Sequence, residues 1–249
     1  MSADADISVV AALFADRSRS DMALSLLDGR ALTASELARA TGLSPSAASP
    51  HLARLVEGGV LNVQRQGRHR YYQLATPAIA RVLEVLLTVA PSRPVSTLRD
   101  TQRRNVLWAA RTCYDHLAGS LGVDLFDRLL QTGILVEDTN MITVSPAGIT
   151  FFNDLGIDLE KLHLGRRPVV RPCLDWTERR HHLAGALGAA LLELLMKNGT
   201  IERRQGTRAV RVSEYGNKFL DDVFGVQLRA SPRKMKLLNG EITGPSKEY

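Results

Sequence analysis

Residues 33–59 constrain this chain more tightly than any other stretch. Thr33-Ala34-Ser35-Glu36 has the form of a capping box, in which a threonine hydroxyl and a glutamate three residues on each accept from the other's backbone N–H at a helix start. The helix it opens stops at Gly42, where glycine enters the left-handed cap conformation without a Cβ penalty. Ser44-Pro45 then supplies a new N-cap with proline at the first helical position, where its missing N–H costs nothing. A second helix therefore begins two residues after the first ends. Leu37, Leu43, Ala48, Leu52 and Leu55 form the apolar faces that hold the pair together, and Gly58-Gly59 closes the second helix. The result is a helix-turn-helix.

The flanks extend this unit. Ile7, Val10, Leu13 and Phe14, then Met22, Leu24, Leu26 and Leu27, predict two helices broken near Asp16 to Ser20 and stopped at Gly29. After the helix-turn-helix, Val60 to Val63 and Tyr71 to Leu74 read as strands joined by the basic loop 64–70, a wing carrying Arg65, Arg68 and Arg70. Pro77 to Ala90 carries Ile79, Val82, Leu83, Leu86 and Leu87, an apolar stripe wide enough to pair with a second copy. Pro50 is the dissonant residue. A proline inside a helix removes a hydrogen bond at a cost of about 3 kcal/mol, so the second helix either kinks there or starts afresh with Ser49 as its cap.

Length and composition fit two domains: 249 residues, 45% hydrophobic and 23% charged. The reading is mainly α (α+β), with a winged helix-turn-helix over 1–90, a C-terminal effector domain over 96–228 and a flexible tail over 229–249. A net charge of +6 suits a polyanionic partner without identifying one. There are two cysteines and no leader-like start, and the apolar runs 82–90 and 183–196 are too short for a membrane span or are interrupted by Glu193. A cytoplasmic protein with no membrane partner is expected.

Leu37 to Leu55, with Glu57-Gly58-Gly59-Val60-Leu61 and Gln66-Gly67-Arg68-His69-Arg70-Tyr71-Tyr72, closely resembles the ArsR/SmtB family of winged-helix repressors, over roughly residues 7 to 90. The resemblance implies a homodimer built from the first helix and residues 77–90, binding to double-stranded DNA at a palindromic operator, and release by an effector. The residues expected at DNA are Ser44, Ser46, Ala47, Ser49, Pro50, His51 and Arg54 of the recognition helix and Arg65, Arg68 and Arg70 of the wing. Small hydroxyl side chains read base edges weakly, so affinity should lean on the wing arginines and sequence preference partly on duplex shape. The family's thiolate site before the recognition helix is absent, since residues 34–41 hold no cysteine or histidine. Residues 77–90 offer only Glu84 as a ligand. An enzyme such as a small-molecule methyltransferase, using the winged helix only to dimerise, is the alternative. It lacks a strand followed by a glycine-rich loop: Gly185-Ala186-Leu187-Gly188 lies in an apolar helical run.

The C-terminal block repeats itself. Arg111-Thr112-Cys113-Tyr114-Asp115 and His116-Leu117-Ala118-Gly119 are echoed by Arg171-Pro172-Cys173-Leu174-Asp175 and, after an insertion, His182-Leu183-Ala184-Gly185. Each half, about 104–160 and 168–228, continues with a leucine-rich helix, a glycine, a strand pair and a final helix, so a duplicated helix-hairpin-helix unit resembling a degenerate winged helix is expected. No cofactor is required by this pattern. Cys113, His116, Cys173 and His182 nevertheless form a candidate effector or metal set, with Cys113 and His116 spaced to share a helical face. Three other readings compete: buried core cysteines with small-residue helix packing, a thiol redox switch beside Arg111 or Arg171, and no effector at all. His181 and Arg179-Arg180 read as solvated helix residues, and Trp108 and Trp176 as core or pocket walls. The connector 91–95 is short enough to transmit a movement to the winged helix.

Overall fold

A computed structural model describes residues 5–91, 97–139, 141–205 and 207–229. Connector residues 92–95 and tail residues 230–249 lie outside them. The chain divides into two compact units, one made of residues up to Pro91 with Thr112–His116 and Arg203–Arg208, the other of the remainder. Among the described residues, no helix is long and apolar enough to cross a membrane.

In the first unit the order is α1 (Ile7–Phe14), α2 (Arg17–Ser25), β1 (Leu32–Thr33), α3 (Ala34–Thr41), α4 (Pro45–Glu57), β2 (Leu61–Gln66), β3 (His69–Leu74) and α5 (Pro77–Val89). Asp16 separates the first two helices by capping α2, its carboxylate accepting from the Arg19 N–H at 2.9 Å. That backbone donor holds the Asp16 carboxyl below its ordinary range. The capping box of α3 closes as the residues dictate, with Thr33 N–H donating to Glu36 at 2.8 Å and Glu36 N–H to the Thr33 hydroxyl at 3.3 Å. Gly42 then takes φ +73. Helix α4 runs through Pro50 from Pro45 to Glu57 without restarting. Met22, Leu26, Leu37, Ala48, Leu52, Leu55, Leu61 and Leu83 make the core, and Leu43 packs at its edge.

The wing departs from the sequence reading in length. Its strands run on to Gln66 and His69, pairing Arg65 with Arg70 and Gln66 with His69, so the turn is only Gly67-Arg68 and not a seven-residue loop. Gly67 supplies φ +58 at the first turn position, which permits so tight a connection. Strand β1, not foreseen from the sequence, pairs with β3 to give the order β1-β3-β2. Two residues carry too little pattern to be read as a strand.

The remainder follows as α6 (Leu98–Ala109), β4 (Arg111–Cys113), β5 (His116–Ala118), α7 (Ser120–Gln131), β6 (Leu135–Asp138), β7 (Met141–Val144), α8 (Pro146–Asp154) and α9 (Leu159–His163). After these come β8 (Arg171–Leu174), β9 (His181–Ala184), α10 (Gly185–Lys197), β10 (Ile201–Arg203), β11 (Val210–Val212) and α11 (Glu214–Phe224). Here one expectation is corrected. Cys113 and His116 do not share a helical face but flank the two-residue turn of a β-hairpin, in which Tyr114 adopts φ +58. A helix interior has no place for that angle. His181 likewise lies on β9, and Arg179 sits in the β8–β9 turn with φ +54.

The order hairpin, helix, hairpin, helix thus occurs in 111–154 and in 171–224. Local bonding matches as well. Ser145 and Ser213 cap α8 and α11 through the N–H groups of Gly148 and Gly216, at 3.0 and 2.9 Å. Their hydroxyls donate to the carbonyls of Gly133 and Gly199, at 2.6 and 2.7 Å. A Cβ on Gly148 would stand 2.2 Å from the Ile134 carbonyl oxygen, and one on Gly216 would stand 2.0 Å from that of Thr200. Backbone cannot yield as a side chain tip does. Gly216→Ala should therefore lower unfolding free energy by at least about 1–3 kcal/mol, the cost of overpacking. Chemical denaturation of the full chain checks this, and an unchanged midpoint would refute the close approach.

Candidate functional site

Two groups of side chains stand out, one basic and exposed, the other made of thiols and imidazoles. The first is organised by α4 and the wing. Ala48, Leu52 and Leu55 bury one face of α4, which leaves Ser44, Ser46, Ala47, Ser49, Pro50 and Arg54 exposed on the other. Ser44 is the N-cap, accepting from the Ala47 N–H at 3.2 Å and lying 3.0 Å from the Ser46 hydroxyl. His51 is placed differently from its neighbours. It is half-buried, with Nδ1 3.3 Å from the Asp16 carboxylate.

Arg65, Arg68 and Arg70 are all exposed. Arg65 and Arg70 are a directly opposed pair on the hairpin, and like charges so placed destabilise a sheet in isolation. A polyanion lying against the tip would offset that repulsion. Some exposed arginines elsewhere are paired with acids, among them Arg211 with Glu202 at 2.5 Å and Arg180 with Asp127.

An apolar surface accompanies the basic one. On α5, Leu83 faces the core while Val82, Val85, Leu86 and Val89 are exposed, Val85 to 63% and Val89 to 75%. The sequence stripe named Ile79, Leu83 and Leu87, which pack inward in whole or in part, and missed Val85 and Val89. Helix α1 buries none of its residues and exposes Ile7, Val9 and Val10. Glu84, the lone ligand-type residue of α5, is buried and engaged: Arg208 donates to it at 2.5 Å.

The second group is a cluster. The ligand atoms of Cys113, His116, Cys173 and His182 all lie within 4.8 Å of one another. Cys113, His116 and His182 are at most 2% exposed, Cys173 is half-buried, and neither cysteine is in a disulfide. Cys173 and His182 are cross-strand partners on β8 and β9, while Cys113 and His116 flank the turn between β4 and β5. Each hairpin thus offers one thiol and one imidazole.

Carboxylates stand behind the imidazoles. His116 Nδ1 lies 3.2 Å from Asp115 and His182 Nδ1 lies 3.6 Å from Asp175. Asp175 is fully buried and accepts from Arg111 at 2.8 Å, the Gly119 N–H at 2.8 Å and the Thr177 hydroxyl at 2.6 Å. Burial alone would raise its carboxyl, but Arg111, Thr177 and the neighbouring His182 together hold it well below the ordinary carboxylate range. Arg111 is itself fully buried and stacks over Trp176 at 4.8 Å. Both aspartates stand in the repeated Arg-x-Cys-x-Asp pattern of the sequence, which places them beside the cysteines in each half. A separate depression of about 340 Å³ in the second unit is walled by Asp124, Asp127, Arg128 and Arg180, and is charged instead of apolar.

Known proteins match the helix-turn-helix and, in one case, most of the chain. The helix-turn-helix domain family matches residues 14–64. The chain is 43% identical over 211 residues to YdfF of Bacillus subtilis, an uncharacterized HTH-type transcriptional regulator, covering 85% of this chain and 93% of that protein. An alignment of that length must run well beyond residue 91. The HTH-type transcriptional regulator YgaV of Escherichia coli is 39% identical over 57 residues, 23% of this chain and 58% of that one. Reduced HlyU from Vibrio cholerae is similar in structure over 34% of this chain and 88% of its own, at 28% identity and a TM-score of 0.32.

Proposed function

This chain belongs to the HTH-type transcriptional regulators, and from that membership we propose that it is a homodimeric repressor of the ArsR/SmtB type that acts in the cytoplasm on a palindromic operator. Membership makes it a DNA-binding regulator and not an enzyme, so the methyltransferase alternative falls. The observation that carries the finer reading is the joint exposure of the α4 face and three wing arginines beside a sheet tip with like charges opposed. In this reading Ser44, Ser46, Ala47, Ser49 and Pro50 approach base edges in the major groove. Arg54, Arg65, Arg68 and Arg70 neutralise phosphates, and His51 positions α4 through Asp16.

The exposed valines of α5 and the uncovered α1 form the face that a second copy buries, which spaces two recognition helices one helical turn of DNA apart. The C-terminal block is a duplicated hairpin-helix-hairpin-helix unit; the matched serine caps and glycine contacts support that reading. It is the effector domain, with release acting through Cys113, His116, Cys173 and His182.

Selection of bound duplexes from a random pool tests the reading. The expected product is an inverted repeat with half-sites about 10 base pairs apart. Val85→Glu should yield a monomer by sedimentation and bind the same duplex at least tenfold more weakly. A selected site without two-fold symmetry, or a dimer persisting in Val85→Glu, would count against it.

A further inference from the structure

We propose that Cys113, His116, Cys173 and His182 bind one zinc-class divalent ion in a closed four-coordinate site that clips the β4–β5 hairpin to the β8–β9 hairpin. The chain has two cysteines and six histidines, and both cysteines with two of the histidines converge at this one place. Core packing has no reason to select that combination. Thiolate with imidazole in a two-plus-two set is the donor chemistry of a borderline-soft ion with no geometric preference of its own.

The distances fit. A tetrahedron with metal–sulfur bonds of about 2.3 Å and metal–nitrogen bonds of about 2.1 Å has edges of roughly 3.4–3.8 Å. Atoms already within 4.8 Å of one another need move inward by only about 1 Å. The surroundings fit also. His116 turns Nδ1 towards Asp115 at 3.2 Å, the arrangement that fixes the tautomer and leaves Nε2 for the ion, and Asp175 lies 3.6 Å from His182 Nδ1, close enough to take up the same role with a small shift. Asp175 is locked in turn by Arg111, Gly119 and Thr177, so the carboxylate beside His182 is held in place.

Four protein ligands leave no open position for substrate or water, so the ion joins the two hairpins and does no hydrolytic chemistry. Binding would displace two thiol protons, and the two thiolates leave the filled site neutral. The repeat gives the site its logic: each half supplies one cysteine, one histidine and one aspartate, so neither half makes the site alone. This proposal stands on the cluster and is independent of the DNA-binding reading.

The test titrates the reduced, metal-stripped full chain with cobalt(II). One equivalent should give thiolate-to-cobalt charge transfer and the intense visible bands of tetrahedral cobalt, and zinc should bleach them. Cys173→Ser, at the most exposed ligand, should lose about half the charge-transfer intensity. Asp115→Asn, which touches no ion, should weaken zinc binding by about 10–100-fold while retaining the spectrum. The parent chain's spectrum does not depend on any variant folding. Octahedral cobalt bands without charge transfer would overturn the site. So would a purified chain whose mass is two hydrogens short and which binds cobalt only after reduction of a Cys113–Cys173 disulfide, without the tetrahedral spectrum.

Discussion

Replacing Arg65, Arg68 and Arg70 together by alanine should make the plot of log affinity against log salt shallower by about 3, for any duplex sequence. Each arginine that neutralises a phosphate releases close to one counterion. Over a fourfold rise in salt, the variant should lose roughly 40-fold less affinity than the parent. The loss at low salt should be uniform across sequences, because phosphate contacts carry no sequence information and the wing arginines stand exposed beyond the hairpin's buried base. Removing the opposed Arg65 and Arg70 should leave the free protein at least as stable as before. Fluorescence anisotropy at four or five salt concentrations measures the slope. An unchanged slope would take the wing out of the interface.

The second large effect belongs to the buried pair of Glu84 and Arg208, whose side chains are 6% and 9% exposed. Arg208 also spans two other groups: its backbone carbonyl accepts from the Thr112 N–H at 2.9 Å, and its guanidinium donates to the Thr112 carbonyl at 3.4 Å. Glu84→Leu strands a buried guanidinium, and Arg208→Met strands a buried carboxylate. Either should cost about 3–5 kcal/mol in urea unfolding of the full chain. The double variant should recover most of that loss, since a packed apolar pair of similar volume avoids desolvating two charges. Additive losses in the double variant would show that the two residues act separately.

The helix-turn-helix was legible because its signals are local. A capping box, a glycine and a Ser-Pro pair act through hydrogen bonds spanning three or four residues, and no distant contact competes with them. Pro50 was ambiguous for the same reason. One lost hydrogen bond is tolerated in a helix whose Leu52 and Leu55 are anchored in the core, and that anchoring is tertiary.

Strands were read less well than helices. The wing ladder extends to Gln66 and His69 through cross-strand bonds that a hydrophobic pattern does not record. Cys113 and His116 have the spacing of one helical face, but a two-residue turn at Tyr114-Asp115 puts the same spacing across a hairpin.

By itself the sequence determined the regulator's helix-turn-helix and the doubled positions of cysteine, aspartate and histidine, since both are written in short-range order. Only the tertiary structure decided which residues of α5 turn outward, because burial of Leu83 and Glu84 rotates Val85 and Val89 to the surface. Only it decided, too, that four ligands on two separated hairpins stand within 4.8 Å of each other. Such convergence is a consequence of chain packing over long sequence distances, and no local propensity encodes it.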